Sequence, residues 1–192
     1  MPSRAKSVLA TLGIAAAAMA LPLVFRKRGS SRREDDDFYD KQVTPSWAPP
    51  GWAFPVAWGL NTVALAAAHQ YVGFRQNMPR RTELLTYLYL HWLLYGTFSR
   101  VYFDERSPML AAGWTAADFA VCHLAFYRAL GVDGKVAGAF VPVNLWLTLA
   151  LPLSLYQAAA NRDPIFGTLG IEVGEIVAGA LGVTPVPTST AS

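Results

Sequence analysis

The chain has 192 residues, 53% hydrophobic and only 15% charged, against roughly 25% charged in soluble domains. Its 16 basic and 13 acidic side chains leave a net charge of +3, too small and too clustered for the broad basic face that nucleic-acid binding needs. Six Trp, eight Tyr and ten Phe exclude a disordered chain, and a single cysteine, Cys122, excludes an internal disulfide framework and any multi-Cys zinc site.

A helix needs roughly 20 apolar residues to cross a hydrocarbon core about 30 Å thick. After an N-terminal segment 1–7, residues 8–25 carry no charge and are flanked by Lys6 and by Arg26, Lys27 and Arg28. Such a stretch reads either as a secretory h-region, with cleavage sites among the small residues 15–18, or as a retained first span with basic residues at the headgroups. The retained span is the expectation. Residues 26–50 follow as a loop that starts basic (Arg26, Lys27, Arg28, Arg32, Arg33) and turns acidic (Glu34, Asp35, Asp36, Asp37, Asp40), a pattern of solvated segments.

Residues 52–74 form the second stretch, with His69 its one titratable group before Arg75 other than Tyr71. The third runs over 84–99 and reaches Phe103 if Arg100 extends its head to the interface. The fourth, 107–128, is interrupted by Asp118 and His123, and the fifth, 136–160, has no charge. Because backbone groups in lipid must be satisfied internally, such spans are helical. The expected architecture is all-α: an integral, multi-pass membrane protein whose domain 8–162 is a bundle of five transmembrane helices at about 8–25, 52–74, 84–103, 107–128 and 136–160. The segment 163–192 carries Glu172, Glu175 and many glycines, so it reads as an interfacial or disordered tail.

The densest local signal is the entry to the second span. Pro45, Trp47, Pro49, Pro50, Trp52, Phe54, Pro55 and Trp58 fall within 14 residues. Pro49-Pro50 stiffens an extended approach, and Pro55 fits the first helical turn, where its missing N–H costs little. Trp47 and Trp52 suit an aromatic belt at the interface. Trp58, set deeper, suits either helix packing or a flat apolar ligand.

This stretch resembles the TspO/MBR family, the tryptophan-rich sensory proteins that include the mitochondrial translocator protein. Their second helix opens with PSW-x-PP-x-W-x-x-x-P-x-W, which Pro45 to Trp58 follow here except that Pro55 falls one residue earlier. Gly113-Trp114 with Ala117-Asp118, the aromatic run Phe126-Tyr127, and Pro142 with Trp146, Ala150 and Tyr156 are similar to the fourth and fifth helices of the family. The chain departs from that pattern where His91 and Leu94 replace an Asn and a Trp, Ser154 replaces an Asn, and Asn61-Thr62 replaces a Leu-Tyr pair. The resemblance implies an intrabundle pocket for tetrapyrroles of the protoporphyrin or haem type and for sterol-like or drug-like molecules. Its implied lining is Trp47, Trp52, Phe54, Trp58, His91, Phe126, Trp146, Ala150 and Leu153.

Helical spacing supports such a wall. Trp58, Asn61, Thr62, Leu65 and His69 share one face, as do Tyr87, His91, Leu94, Tyr95 and Phe98, and Trp146, Ala150, Leu153, Ser154 and Gln157. Aromatic stripes also serve as plain core, and His91 reads first as a hydrogen-bonded core histidine rather than an axial ligand. Asp118 reads as a helix–helix hydrogen-bond partner and Cys122 as a small filler. No metal site, no catalytic residue and no obligatory cofactor are expected; porphyrin is the expected ligand. Leu151, Tyr156 and Arg162 fit the loose sterol-contact pattern. The expected partners are a tetrapyrrole or other hydrophobic small molecule, membrane lipid including sterol, and a second copy in a homodimer. Ala112, Ala116 and Ala120 form a small-residue ladder that brings helices close. Two other functions fit the sequence. One is light- and oxygen-dependent breakdown of bound porphyrin, which the resemblance ties to Trp58 and Trp146. The other is a structural role recruiting partners through the 26–44 loop or the tail.

Overall fold

A computed structural model describes residues 4–26 and 37–166. These residues form helices and loops and contain no strand. The long helices are α1 (Arg4–Phe25), α2 (Ala53–Phe74), α3 (Arg81–Ser99), α4 (Pro108–Leu130) and α5 (Gly134–Ala160), with a π-helical turn Arg100–Asp104 between α3 and α4; residues 37–40 are also helical. By length and composition, α1, α4 and α5 are apolar enough to cross a membrane. α2 and α3 are of similar length but carry more Trp, Tyr, His and amide side chains. Most of the charged 26–50 loop up to residue 36, and the tail from residue 167, lie outside the described residues.

Local chemistry sets the helix ends. The chain approaches α2 through turns closed by Ala48 N–H to Pro45 O (2.9 Å) and Ala53 N–H to Pro50 O (2.9 Å), as the proline spacing requires. α3 begins at Arg81, before the uncharged stretch does, behind Arg80 in the left-handed region (φ 54°). It does not continue as an α-helix to Phe103: the chain loosens into the π turn, with Glu105 N–H bonding Arg100 O at 3.0 Å. Ser107 then caps α4, accepting from Leu110 N–H at 3.1 Å, with Pro108 in the first turn. Asp133 caps α5, accepting from Lys135 N–H at 2.8 Å.

α4 and α5 form the tightest pair. The buried positions of α4 are 108, 111, 112, 115, 118, 122, 125 and 129; apart from 112 they alternate steps of three and four as in a coiled-coil seam. They meet Val136, Phe140, Val143, Asn144 and Leu147 of α5. This register differs from the Ala112–Ala116–Ala120 ladder: Ala112 is buried, but Ala120 is exposed. α5 also packs on α2, α4 on α3, and α1 on both α2 and α3, so the helices follow one another around a ring as α1–α2–α5–α4–α3. The outer surface is apolar, with Leu9, Leu23 and Val24 of α1, Leu60 of α2, Leu93 of α3 and Leu145 of α5 all exposed. The core of Leu65, Leu84, Leu88, Phe140 and Leu147 runs through the middle.

Candidate ligand-binding site

Six aromatic rings converge near one end of the ring of helices. Trp58, on the second turn of α2, lies 6.4 Å from Trp146 of α5 at an interplanar angle of 73°. It lies 5.0 Å from Tyr95 of α3 and 6.4 Å from His91, near-parallel at 28°. Phe54, one turn earlier on α2, meets the Trp146 ring edge-on at 5.2 Å. Tyr39, in the short helical segment 37–40 ahead of this approach, meets Phe54 at 5.1 Å and donates its hydroxyl to Pro49 O at 3.0 Å. Three helices and the proline-rich approach thus supply one continuous aromatic column, within which the two central tryptophans touch.

The floor of this column is polar and buried. His91 Nδ1 lies 2.8 Å from Asp118 Oδ1, and Cys122 Sγ lies 3.4 Å from that nitrogen and 3.5 Å from that oxygen. The imidazole therefore has the core partner expected of it, and Asp118 links α3 to α4. The thiol of Cys122 does more than fill space, since it faces both. Asn144 of α5 donates Nδ2–H to Cys122 O at 3.4 Å. Three amide atoms in this interior have no hydrogen-bond partner: Asn61 Nδ2, Asn144 Oδ1 and Gln157 Nε2. An unsatisfied buried group costs about 1–3 kcal/mol, so these two amide N–H donors and one carbonyl acceptor leave hydrogen-bonding capacity unused in the interior.

Other predicted residues fall elsewhere. Trp47 and Trp52 are 48% and 70% exposed at the entry to α2. Phe126 packs on the core close to the opposite end of α4, next to Tyr127. Leu153 is buried and Ala150 half-buried on α5, beyond Trp146. Leu151 and Tyr156 are half-buried and Arg162 is exposed. On the outer face of α3 and α4, a groove of about 390 Å³ is lined by Leu94, Gly113, Trp114, Ala117 and Phe166 among others.

The sequence profile of the TspO/MBR family matches residues 9–159. The chain belongs to the TspO/MBR family. The curated "Protein CrtK" of Rhodobacter capsulatus is 27% identical over 141 residues, covering 67% of this chain and 82% of that protein. TspO/MBR membership and the apolar helices make this a membrane protein. Among TspO/MBR features, the Trp/Pro entry motif is what carries Phe54 and Trp58 into the aromatic column. Tyr39, Asp118 and Cys122 were not expected in the site. Asp118 and Cys122 are four residues apart on one helix, a spacing that signals a shared face. Nothing in the sequence pairs that face with His91.

Two ends of the bundle are held by ionic groups outside the spans. Burial pushes the Asp133 carboxyl up. The Lys135 N–H, the Tyr71 hydroxyl (2.9 Å), the Val136 N–H and Arg75 together outweigh it and hold its pKa below the ordinary value. At the other end burial likewise raises Asp163. The Ser107 hydroxyl (2.6 Å) and the N–H groups of Met109, Ile165 and Phe166 overcome this and lower its pKa. Asn161 pairs with the Val43 backbone, accepting from its N–H at 2.7 Å and donating to its O at 3.0 Å. These bonds fasten the approach to α2 onto the end of α5 and set the height of Phe54 and Trp58 against Trp146.

Proposed function

We propose that all five helices cross the membrane and that the chain binds a flat tetrapyrrole of the protoporphyrin class between α2, α3 and α5, for sequestration, transport or stress sensing. The observation that carries this reading is the meeting of Trp58 and Trp146 from two different helices, with Phe54 and Tyr95 around them and unpartnered amide atoms of Asn61 and Asn144 nearby. Flat rings stack on indole, and a mostly apolar site with a few polar handles is the usual form for a small molecule. Exposed leucines and valines all around the ring of helices, α2 and α3 included, support five crossings. A sterol is the second ligand class, at the face of α5 where Leu151, Tyr156 and Arg162 lie.

Titration of the detergent-solubilised protein with protoporphyrin IX, followed by tryptophan quenching and by the porphyrin's own absorption, tests the reading. Trp58→Ala and Trp146→Ala are each expected to weaken binding about tenfold, the equivalent of about 1.4 kcal/mol and within the range of one aromatic contact. Trp114→Phe, on the outer groove, leaves it unchanged. Unaltered affinity in both pocket variants refutes the site.

A further inference from the structure

We infer that His91, Asp118 and Cys122 form a binding site for a divalent transition-metal ion of the zinc class beneath the aromatic column. The three side chains come from α3 and α4 and are all buried. Their donor atoms form a triangle with edges of 2.8, 3.4 and 3.5 Å. Bonds of about 2.0–2.1 Å to nitrogen and oxygen and about 2.3 Å to sulfur, at tetrahedral angles, set such atoms about 3.4–3.6 Å apart. The two edges to sulfur already have that length, and the His91–Asp118 edge needs to open by about 0.6 Å. One imidazole, one carboxylate and one thiolate are the donor types of zinc sites that keep an open fourth position.

Charge favours the same conclusion. A divalent ion with one thiolate, one carboxylate and a neutral imidazole carries no net charge, which suits a site at bilayer depth. On binding, the ion takes the place of the thiol proton, which leaves to solvent, while the imidazole keeps its one N–H at Nε2 and presents Nδ1 to the ion. A second, independent observation lies on the facing turn of α5. Asn144 is 9% exposed, bonds the Cys122 carbonyl through Nδ2, and has an unpartnered Oδ1, a neutral oxygen donor on a side chain bonded to the same residue that supplies the thiol. The inference concerns these side chains alone and does not depend on what binds above them.

Cobalt(II) tests it, because it takes zinc sites and reports its ligands. The full-length protein in detergent is stripped with a chelator, kept reduced with a phosphine and titrated with Co(II), then with Zn(II) in competition. One ion per chain is expected, with visible d–d bands of tetrahedral intensity and a near-ultraviolet thiolate-to-cobalt charge-transfer band, all removed by Zn(II). Cys122→Ala abolishes the charge-transfer band and weakens binding at least tenfold; Asn144→Ala keeps the band and weakens binding less. A wild-type titration without the thiolate band, or a band that survives Cys122→Ala, overturns the site. The wild-type spectrum decides even if a variant fails to fold, and porphyrin titration of the metal-free protein reads the proposed tetrapyrrole function separately.

Discussion

Gly96→Ala tests how α1 is seated. Gly96 is buried on α3, and a Cβ built there lies 2.9 Å from Leu21 Cβ of α1, with Leu21 Cδ1 and Phe25 Cδ2 each at 3.5 Å. Leu21 Cβ sits next to its backbone, so it cannot swing away as a side-chain tip does; α1 itself must move. Two terms of opposite sign compete. Ala is a better helix former than Gly by about 0.8–1 kcal/mol, whereas overpacking a tight contact costs about 1–3 kcal/mol. With α1 packed on α3, the net is a loss of about 0–2 kcal/mol, the range left by those two terms. Were residues 8–25 a removed leader, the variant would be more stable by the full propensity gain. Unfolding in detergent by a sodium dodecyl sulfate titration measures the sign. The double variant Leu21→Gly/Gly96→Ala removes the opposing Cβ, so a cycle through Leu21→Gly should give a favourable coupling of at least about 0.5 kcal/mol, typical of residues in contact. A stabilised Gly96→Ala with zero coupling refutes the packing of α1.

Two further outcomes follow from the ionic groups. Asp163 has its pKa held below the ordinary value near 3.8. Its contribution is therefore complete above that value and is lost as pH falls from about 3.8 through the lower folded value. Asp163→Asn should flatten this acid limb of a stability-against-pH curve, and an unchanged limb would remove Asp163 from the account. Asp118→Ala strips a buried hydrogen-bond partner from His91 and should cost about 1–3 kcal/mol, while His91→Leu/Asp118→Leu, which removes both, should cost less; equal losses in equilibrium unfolding would show the pair is not coupled.

The helices were legible because charge is costly in hydrocarbon, so Arg26 and Arg75 follow helix ends, and Arg128 and Lys135 lie in the last turn of α4 and the first turn of α5. The place of Trp58 early in α2 was legible because the four prolines Pro45, Pro49, Pro50 and Pro55 before it dictate where α2 begins. What could not be read is which faces meet. The Ala112–Ala116–Ala120 spacing is as good a ladder on paper as the one through Ala111, Thr115, Asp118 and Cys122. The second is buried because Val136, Phe140 and Val143 of α5 need small residues opposite them. The π turn was equally hidden, since Arg100 to Asp104 reads as one more helical turn until Ser107 and Asp163 fix where α4 must start. The pairing of His91 with Asp118 and Cys122 is a contact between residues 27 and 31 positions apart, and only the ring order of the helices creates it.

That ring order also bears on the proposed tetrapyrrole binding. Phe54 meets Trp146 at 5.2 Å and Trp58 meets it at 6.4 Å, so a flat molecule stacking on both indoles must first part them. Each aromatic contact is worth about 0.5–1.5 kcal/mol beyond its buried area, so opening both costs about 1–3 kcal/mol and reduces the binding-competent fraction by about 5–150-fold. Phe54 holds Trp146 shut, because it lies one turn from Trp58 and is itself braced by Tyr39 at 5.1 Å. Phe54→Ala should therefore lower the opening cost by one contact and raise the association rate for protoporphyrin IX by about 2–10-fold, with both stacking indoles kept. Stopped-flow quenching measures that rate. A slower association with unchanged dissociation would mean that Phe54 guides the guest rather than guarding the gap between the tryptophans.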